Sequence, residues 1–219
     1  MFYYDIHTHI IPDDRINVIS IINSGEEKKY AGTSASDLFF SVGIHPADII
    51  GNSGEMVIFK LRSQLNASHT VAIGEAGIDH LVTTVSIEKQ IEIFEQLIAL
   101  SEEVQKPLII HNVRATGEIM HLFKKYRPTQ PWIIHGFRGN PQTASQLQQA
   151  GIWLSLGERY NETLFSEKKL DLNRVVLETD GHTDIKTVYR QIAKSAQMGD
   201  EAFRELIGKN VRTLFPSLP

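Results

Sequence analysis

Short apolar runs rich in β-branched residues recur along the chain, and each one ends in a polar or glycine-containing turn. Eight such runs are present, and eight is the number of strands that closes a parallel barrel of the TIM type. The predicted strands are Phe2 to His9, Asn17 to Asn23, Phe39 to His45, Thr70 to Asp79, Leu108 to Asn112, Trp132 to Phe137, Ile152 to Leu156 and Val175 to Asp180.

The segments between these runs have the helical period of apolar residues from residue 51 onward. Ser86 is expected to cap the helix that follows it, and Asp200 is expected to cap the last helix. The predicted helices are Glu55 to Asn66, Ile87 to Val104, Thr116 to Tyr126, the stretch that opens at Asn140-Pro141 and stops at Gly151, Val188 to Gln197 and Glu201 to Phe215.

A strand followed by a helix, repeated along the chain, implies parallel pairing with right-handed crossovers. The sequence therefore predicts an α/β fold, a compact and distorted TIM (β/α)8 barrel. The connection from Ile10 to Ile16 is too short for a full helix, and Glu26 to Leu38 is barely long enough, so the barrel is expected to be irregular on that side. No linker or repeat marks a second domain, so residues 1–219 are interpreted as one domain.

Composition and charge limit the chemistry and the partners. The chain has no cysteine, so any metal must be held by His, Asp and Glu. A formal net charge of −4 is not that of a protein that grips long nucleic acid with its whole surface, although it is compatible with an enzyme that acts on a phosphodiester. The start has no signal-peptide pattern and no apolar run reaches about 18 residues, so we expect a cytoplasmic protein that spans no membrane.

Histidines and carboxylates finish one predicted strand after another. His7 and His9 form a His-x-His pair, in which residues i and i+2 of an extended chain project to the same side. The carboxyl ends of barrel strands meet at one mouth, so residues at these ends are candidates for one shared site. These residues are His7, His9, His45, Glu75, His111, His135 and Asp180.

Imidazole and carboxylate ligands without sulfur suit divalent Zn, Mn, Fe or Mg at a hydrolytic site, and the size of this set indicates two ions. In this interpretation His7 and His9 bind one ion, and His111 and His135 bind the second ion or are shared with the first. Glu75 is the bridging ligand.

Asp180 is interpreted as a terminal ligand that also orients the metal-activated water and accepts its proton, which makes Asp180 and Glu75 the candidate catalytic residues. Each residue also has a purely structural explanation: His111 and His135 fit hydrogen-bonded core histidines, and Asp180 fits the start of a turn with Gly181. A buried carboxylate at Glu75 would be costly without a cation. The joint pattern favours the metal site.

Several segments along the chain resemble, in order and spacing, the TatD family of metal-dependent deoxyribonucleases and related hydrolases. They are DIHTHI, VGIHP, AIGEAGID, PLIIH, IIHGFRG, LSLG, LETD and NVRTLF, and they extend from near the first residue to Phe215. The resemblance implies a distorted TIM barrel, a two-metal centre and hydrolysis of DNA. By the family's pattern Asp180 faces the attacking water and His45 lines the pocket. The metal ligands that the resemblance implies are His7, His9, Glu75, His111, His135 and Asp180.

The chain departs from the family's pattern after the last ligand, where family members commonly have a proline-containing loop. Here the loop reads Gly181-His182-Thr183-Asp184, and a helix begins soon afterwards. The chain is also shorter than is typical. Because loops determine the substrate of a barrel enzyme, these departures concern the substrate more than the metal site.

Two arginines follow the predicted ligands closely. Arg114 comes just after His111, and Arg138 comes just after His135. An arginine at a strand end can bind phosphate oxygens through two parallel hydrogen bonds and stabilise developing charge. A salt bridge to a neighbouring acid is the alternative for each.

The predicted function is that of a TatD-type deoxyribonuclease with two divalent ions (Mg, Mn or Zn), acting on short or single-stranded DNA without an obligate protein partner. One alternative is a hydrolase of the same fold that acts on a small ester, an amide or aminoacyl-tRNA. Another is a phosphate-monoester phosphatase, because DIHTHIIPDD also resembles the polymerase and histidinol phosphatase family. A non-catalytic metal-binding module is the remaining alternative.

Overall fold

A computed structural model describes most of the chain, namely residues 1–23, 38–49, 58–59, 61–62, 65, 69–166, 169–181 and 183–219. The predicted helix Glu55 to Asn66, most of the connection Glu26 to Leu38, and His182 lie largely or wholly outside these residues.

All the predicted strands are present. Most bounds differ by at most one residue at an end, but two strands were predicted three residues too long. Gly136 and Asp180 adopt left-handed backbone conformations, with φ of 56° and 53°, that end the extended chain before Phe137 and Asp180. The strands are β1 (Tyr3–Thr8), β2 (Val18–Asn23), β3 (Phe39–Ile44), β4 (Thr70–Asp79), β5 (Leu108–Val113), β6 (Trp132–Ile134), β7 (Trp153–Leu156) and β8 (Val175–Leu177).

The helices follow the predicted pattern with corrections near the end of the chain. The described helices are α1 (Ile87–Val104), α2 (Thr116–Tyr126), α3 (Pro141–Ala150), α4 (Thr163–Ser166), α5 (Ile185–Ser195) and α6 (Asp200–Leu214). Short 3₁₀ turns cover Pro46–Asp48 and Leu172–Arg174.

Local capping chemistry explains where several helices begin and end. Ser86 Oγ accepts a hydrogen bond from Lys89 N at 3.3 Å, as predicted for the start of α1. The cap predicted at Asp200 is wrong, because Asp200 is already helical and Gly199 precedes it without a side-chain hydrogen bond. The carboxylate of Asp200 instead lies in the first turn of α6, where the helix dipole favours a negative charge. The start predicted at Val188 for α5 is also late, because that helix begins at Ile185.

The strands are parallel and follow one another in chain order in one sheet, with helices in the later connections, which is the arrangement of a TIM barrel. The predicted fold class is therefore confirmed. Among the described residues, no helix is both long enough and apolar enough to cross a lipid bilayer. The chain divides into two compact units, one formed by residues 1–22 and 133–219 and the other by residues 23–132.

In the first unit, β6, β7 and β8 pair in parallel, with Ile133 beside Trp153 and Leu154 beside Val175. β8 is completely buried. The α6 helix is fixed to it by Asn210, whose Nδ2 donates to the backbone oxygen of Val175 at 2.7 Å. This hydrogen bond fixes the start of β8 against α6.

In the second unit, β4 pairs with both β3 and β5 and is buried along its whole length. Gly77 is required on β4, because its φ is 156° and an added Cβ would lie 1.9 Å from the backbone oxygen of His111. The end of β4 is tied to α1 by Gln90, whose Oε1 accepts from Asp79 N at 2.8 Å while its Nε2 donates to Asp79 O at 3.2 Å. These contacts fix the position of Asp79.

Candidate metal centre

In the first unit, four of the predicted ligands lie together, and we call them the Asp180 cluster: His7, His9, His135 and Asp180. Asp180 Oδ1 lies 3.7 Å from His7 Nε2 and 3.5 Å from His9 Nε2. The rings of His7 and His135 have their centroids 4.4 Å apart. His7, His135 and Asp180 each offer one ligand atom, and these atoms lie within 4.8 Å of one another, which is close enough to share one cation.

The Asp180 cluster is buried on one side and open on the other. The side chain of His7 is fully buried and His135 is 9% exposed, whereas Asp180 and His9 are 30% and 39% exposed. The candidate ligands His7 and His135 are thus held inside the protein, and the Asp180 carboxylate reaches solvent.

Glu178 is a candidate functional residue that the sequence interpretation missed. Its Oε1 lies 3.2 Å from His135 Nδ1, and the side chain is completely buried. A carboxylate on one imidazole nitrogen fixes the tautomer and leaves the other nitrogen to bind a metal. The signal was available, because Glu178 stands two residues before Asp180, a spacing that places side chains on one face of an extended chain.

The turn that carries Asp180 is held by hydrogen bonds to β1. Asp5 Oδ1 accepts from Thr179 N at 3.0 Å and Asp5 Oδ2 accepts from Thr179 Oγ1 at 2.7 Å. Asp180 N donates to His7 O at 3.1 Å. Burial raises the pKa of Asp5 to about 8, against the opposing effect of the hydrogen bonds from Thr179. The left-handed Asp180 is therefore held to β1 through the preceding Thr179 and through its own N–H.

In the second unit, the remaining predicted residues converge with one addition, and we call them the His111 cluster: His45, Glu75, Asp79 and His111. His111 Nδ1 lies 2.6 Å from Glu75 Oε1, and His111 Nε2 lies 3.0 Å from Asp79 Oδ2. His45, Asp79 and His111 each offer one ligand atom within 4.8 Å of the others. Asp79 ends the predicted strand that contains Glu75, so its position at a strand end was the signal that sequence analysis did not use.

His45 is oriented by the short helical turn that follows it. Its Nδ1 accepts a hydrogen bond from Ala47 N at 3.1 Å, and its Nε2 lies 3.8 Å from Glu75 Oε1. Burial lowers the pKa of His45, with a further contribution from the charge of His111. A neutral imidazole whose Nδ1 accepts from the backbone carries its proton on Nε2, so His45 presents an N–H donor to the cluster.

The two clusters fit divalent cations. Each combines imidazole nitrogen with carboxylate oxygen, which is the donor set of hydrolytic Zn, Mn, Fe or Mg sites. The buried Glu178 Oε2 has no hydrogen-bond partner among the residues that the structure describes, which is costly for a carboxylate unless positive charge lies nearby.

The structure also bears on the two arginines. In the described part of the chain, neither Arg114 nor Arg138 forms an ion pair, so the salt-bridge alternative is not observed for either. Arg138 is exposed immediately after the Asp180 cluster residue His135 and the tight turn at Gly136.

The chain is similar to TatD proteins and metal-dependent hydrolases in both sequence and structure. A sequence model of the family described as TatD related DNase matches residues 15–216. An uncharacterized metal-dependent hydrolase of Bacillus subtilis, YabD, is 27% identical over 81% of this chain and 77% of its own length. Another from Methanocaldococcus jannaschii is 26% identical over 82% of this chain and 76% of its own length.

Two solved structures share the fold. The TatD homologue YjjV from Escherichia coli superposes with a TM-score of 0.84 and 20% identity, covering 99% of this chain and 98% of that protein. A TatD family hydrolase from Entamoeba histolytica gives a TM-score of 0.81 and 14% identity, covering 98% of each chain. The barrel architecture thus extends over the whole length of this chain.

Proposed function

The chain belongs to the TatD family of metal-dependent hydrolases, and we propose that its own reaction is the hydrolysis of phosphodiester bonds in DNA. The observation that carries the proposal is the Asp180 cluster, in which two buried histidines and the partly exposed His9 lie beside a carboxylate that is open to solvent. We further propose that residues 1–219 act as one hydrolase domain. A cytoplasmic location stays a prediction from the sequence.

We propose that the Asp180 cluster holds one divalent ion through His7, His9, His135 and Asp180. Glu75, His111 and Asp79 are proposed to hold a second ion, with His45 lining that site. Sharing of Glu75 between the ions stays a prediction from the sequence. Divalent ions at such sites polarise a phosphoryl oxygen and lower the pKa of a water molecule.

The roles of the protein groups follow from burial and contacts. Asp180 is proposed as the base, because its carboxylate is 30% exposed and the Asp5–Thr179 hydrogen bonds fix the turn from which it projects. Glu178 is proposed to keep His135 in one tautomer. Arg114 and Arg138 are proposed to bind phosphate oxygens, since neither is neutralised by an ion pair in the described part of the chain.

The absence of those ion pairs among the described residues supports a phosphodiester over an uncharged substrate. A small ester or amide carries no charge for an arginine to bind, and a hydrolase of this fold acting on such a substrate would have no use for free guanidinium groups at the strand ends. A preference for phosphate monoesters over diesters would identify a monoester phosphatase.

The test is hydrolysis of a short end-labelled single-stranded DNA by chelator-stripped protein to which Mg, Mn or Zn is returned. We expect metal-dependent shortening by the wild type and a loss of about 100-fold or more in Asp180→Asn, because that variant lacks the base. Equal activity in the variant would reveal a contaminating nuclease or a wrong base. Intact DNA under every ion, together with hydrolysis of an ester or a phosphate monoester, would overturn the DNase proposal.

A further inference from the structure

A surface cleft in the first unit lies directly beside Asp180, and we call it the arginine cleft. It is formed by the loops that follow three neighbouring strands, β6, β7 and β8. Its walls include two glycines, two arginines, a tyrosine and the candidate base: Gly136, Gly157, Arg138, Arg159, Tyr160 and Asp180.

The strand register explains why the two arginines share this cleft. Ile134 of β6 pairs with Leu154 of β7, and the register continues past the strand ends, where Phe137 N donates to Ser155 O at 2.9 Å. The loops carrying Arg138 and Arg159 therefore leave adjacent strands at the same edge of the sheet. On the other side of β7, Glu178 N donates to Leu156 O at 3.1 Å, which places the turn with Asp180 next to both loops.

The glycines leave space between these groups. Gly136 has φ of 56°, and a Cβ added there would lie 3.5 Å from Glu178 Oε1. A Cβ added at Gly157 would lie 3.5 Å from the backbone oxygen of Glu178. Larger residues would occupy the floor of the cleft, so the glycines keep the approach to Asp180 open.

The charge of the cleft indicates an anionic ligand. Both Arg138 and Arg159 are exposed, and neither has a hydrogen-bond or ion-pair partner within the described residues. Glu158 also lines the cleft and is exposed. Two guanidinium groups without ion-pair partners in the described part of the chain thus lie in the cleft beside Glu158 and Asp180, and a divalent ion held by the Asp180 cluster would offset the charge of Asp180.

The loop that carries Arg159 is held in place before any ligand arrives. Tyr160 Oη lies 2.7 Å from Ser195 Oγ on α5, and Tyr160 N donates to Gly157 O at 3.2 Å. The ring of Tyr160 also packs edge-on against Phe165, with the centroids 5.6 Å apart. A fixed loop reduces the entropy lost when the arginine binds its ligand.

We propose that the arginine cleft binds a second phosphate of the substrate, adjacent to the phosphodiester that is hydrolysed at Asp180. The inference rests on the proposed function and deepens it, because it specifies a substrate with at least two phosphates in sequence. Guanidinium groups suit this role, since each can make two parallel hydrogen bonds to phosphate oxygens. Arg159 becomes a residue that determines specificity for oligonucleotides.

The experiment compares two substrates in Arg138→Gln, Arg159→Gln and the double variant. One is a short single-stranded oligonucleotide, and the other is bis(4-nitrophenyl) phosphate, a diester without a second phosphate. Loss of a charged hydrogen bond should lower kcat/KM for the oligonucleotide by about 10-fold per arginine, mainly through KM. For the small diester, Arg159→Gln should stay within about 2-fold of the wild type, whereas Arg138→Gln and the double variant should also lose activity, because Arg138 is proposed to bind oxygens of the reacting phosphate. Arg190→Gln is the matched control, because this exposed arginine pairs with Asp184 and does not line the cleft.

A binding measurement keeps the inference separate from the nuclease proposal. Fluorescence anisotropy of a labelled oligonucleotide with metal-free protein should show about 10-fold weaker binding in Arg159→Gln and a smaller salt dependence. Equal losses on both substrates in Arg159→Gln, unchanged oligonucleotide binding by Arg159→Gln, or no binding by the wild type would each overturn the second-phosphate site. Hydrolysis of the small diester but not of DNA by the wild type would instead refute the DNase proposal. The anisotropy measurement would then still show whether the arginine cleft binds an oligonucleotide.

Discussion

Glu178 Oε1 lies 3.2 Å from His135 Nδ1, and both side chains are buried, at the carboxyl ends of β8 and β6, which flank β7 in the sheet. The contact determines which imidazole nitrogen carries the proton. It also places a negative charge behind a proposed metal ligand, which makes that ligand a stronger donor. Metal affinity in this protein should therefore depend on a residue that never touches the ion.

Glu178→Gln is predicted to weaken metal binding by about 10- to 100-fold, because the neutral amide no longer stabilises the ligating form of His135. Calorimetric titration of the stripped protein with Mn²⁺ or Zn²⁺ measures this directly. Glu205→Gln on α6 is the control, since Glu205 is exposed and lies outside both clusters. Unchanged affinity in Glu178→Gln would show that the contact is only structural.

Metal removal is predicted to lower thermal stability. An ion at about 100 times its Kd adds about 2.7 kcal/mol to the folded state, which corresponds to a Tm change of roughly 5 to 10 °C for a chain of this size. Differential scanning calorimetry with and without a chelator tests this. Elemental analysis should give two ions for the wild type and one for either His135→Asn or His111→Asn. A single ion in the wild type would contradict the two-site proposal.

Gly77→Ala is predicted to be severely destabilising, by more than about 3 kcal/mol, or to prevent folding. An added Cβ would lie 1.9 Å from the backbone oxygen of His111, and two paired strands cannot separate without losing their hydrogen bonds. Gly117→Ala in α2 is the opposite case, because a Cβ there has no atom within 4 Å. That variant should gain about 0.5 to 1 kcal/mol. Urea denaturation of both variants provides the comparison.

The ion pair between Asp14 and Lys186 is predicted to stabilise the folded protein at neutral pH and to lose this effect in acid. The hydrogen bond from Lys186, with further help from Asn17, lowers the pKa of Asp14 to about 2. Since the folded state holds the charged form, the pair stabilises the protein above the unfolded-state pKa near 3.8, and the contribution disappears as the pH falls towards 2.

Asp14→Asn should therefore lower Tm at neutral pH by no more than about 4 °C, because an exposed pair is screened by solvent. The difference from the wild type should shrink between pH 4 and pH 2 and in high salt. Thermal unfolding followed by circular dichroism across this range is the measurement. A difference that grows in acid would have the wrong sign for this mechanism.

The local pattern of apolar and polar residues was sufficient to predict most helices and strands. Thr70–Asp79 and Thr116–Tyr126 have the bounds that apolar periodicity predicted, because both are long and strongly patterned. β6 and β8 were predicted too long, because the left-handed residues Gly136 and Asp180 end the extended chain and the residue pattern does not reveal a left-handed conformation. Backbone turns of this kind are set by tertiary hydrogen bonds, such as that of Asp180 N with His7 O.

By itself, the sequence determined the fold class and the chemical type of the site, because hydrophobic periodicity and the placement of His and carboxylates at strand ends are local properties. Only the tertiary structure decided which groups touch. Glu178 against His135, Asp79 against His111 and the shared cleft of Arg138 and Arg159 depend on strand register across distant parts of the chain. Register is a property of packed strands, and composition alone does not encode which side chains it brings within a hydrogen bond of each other.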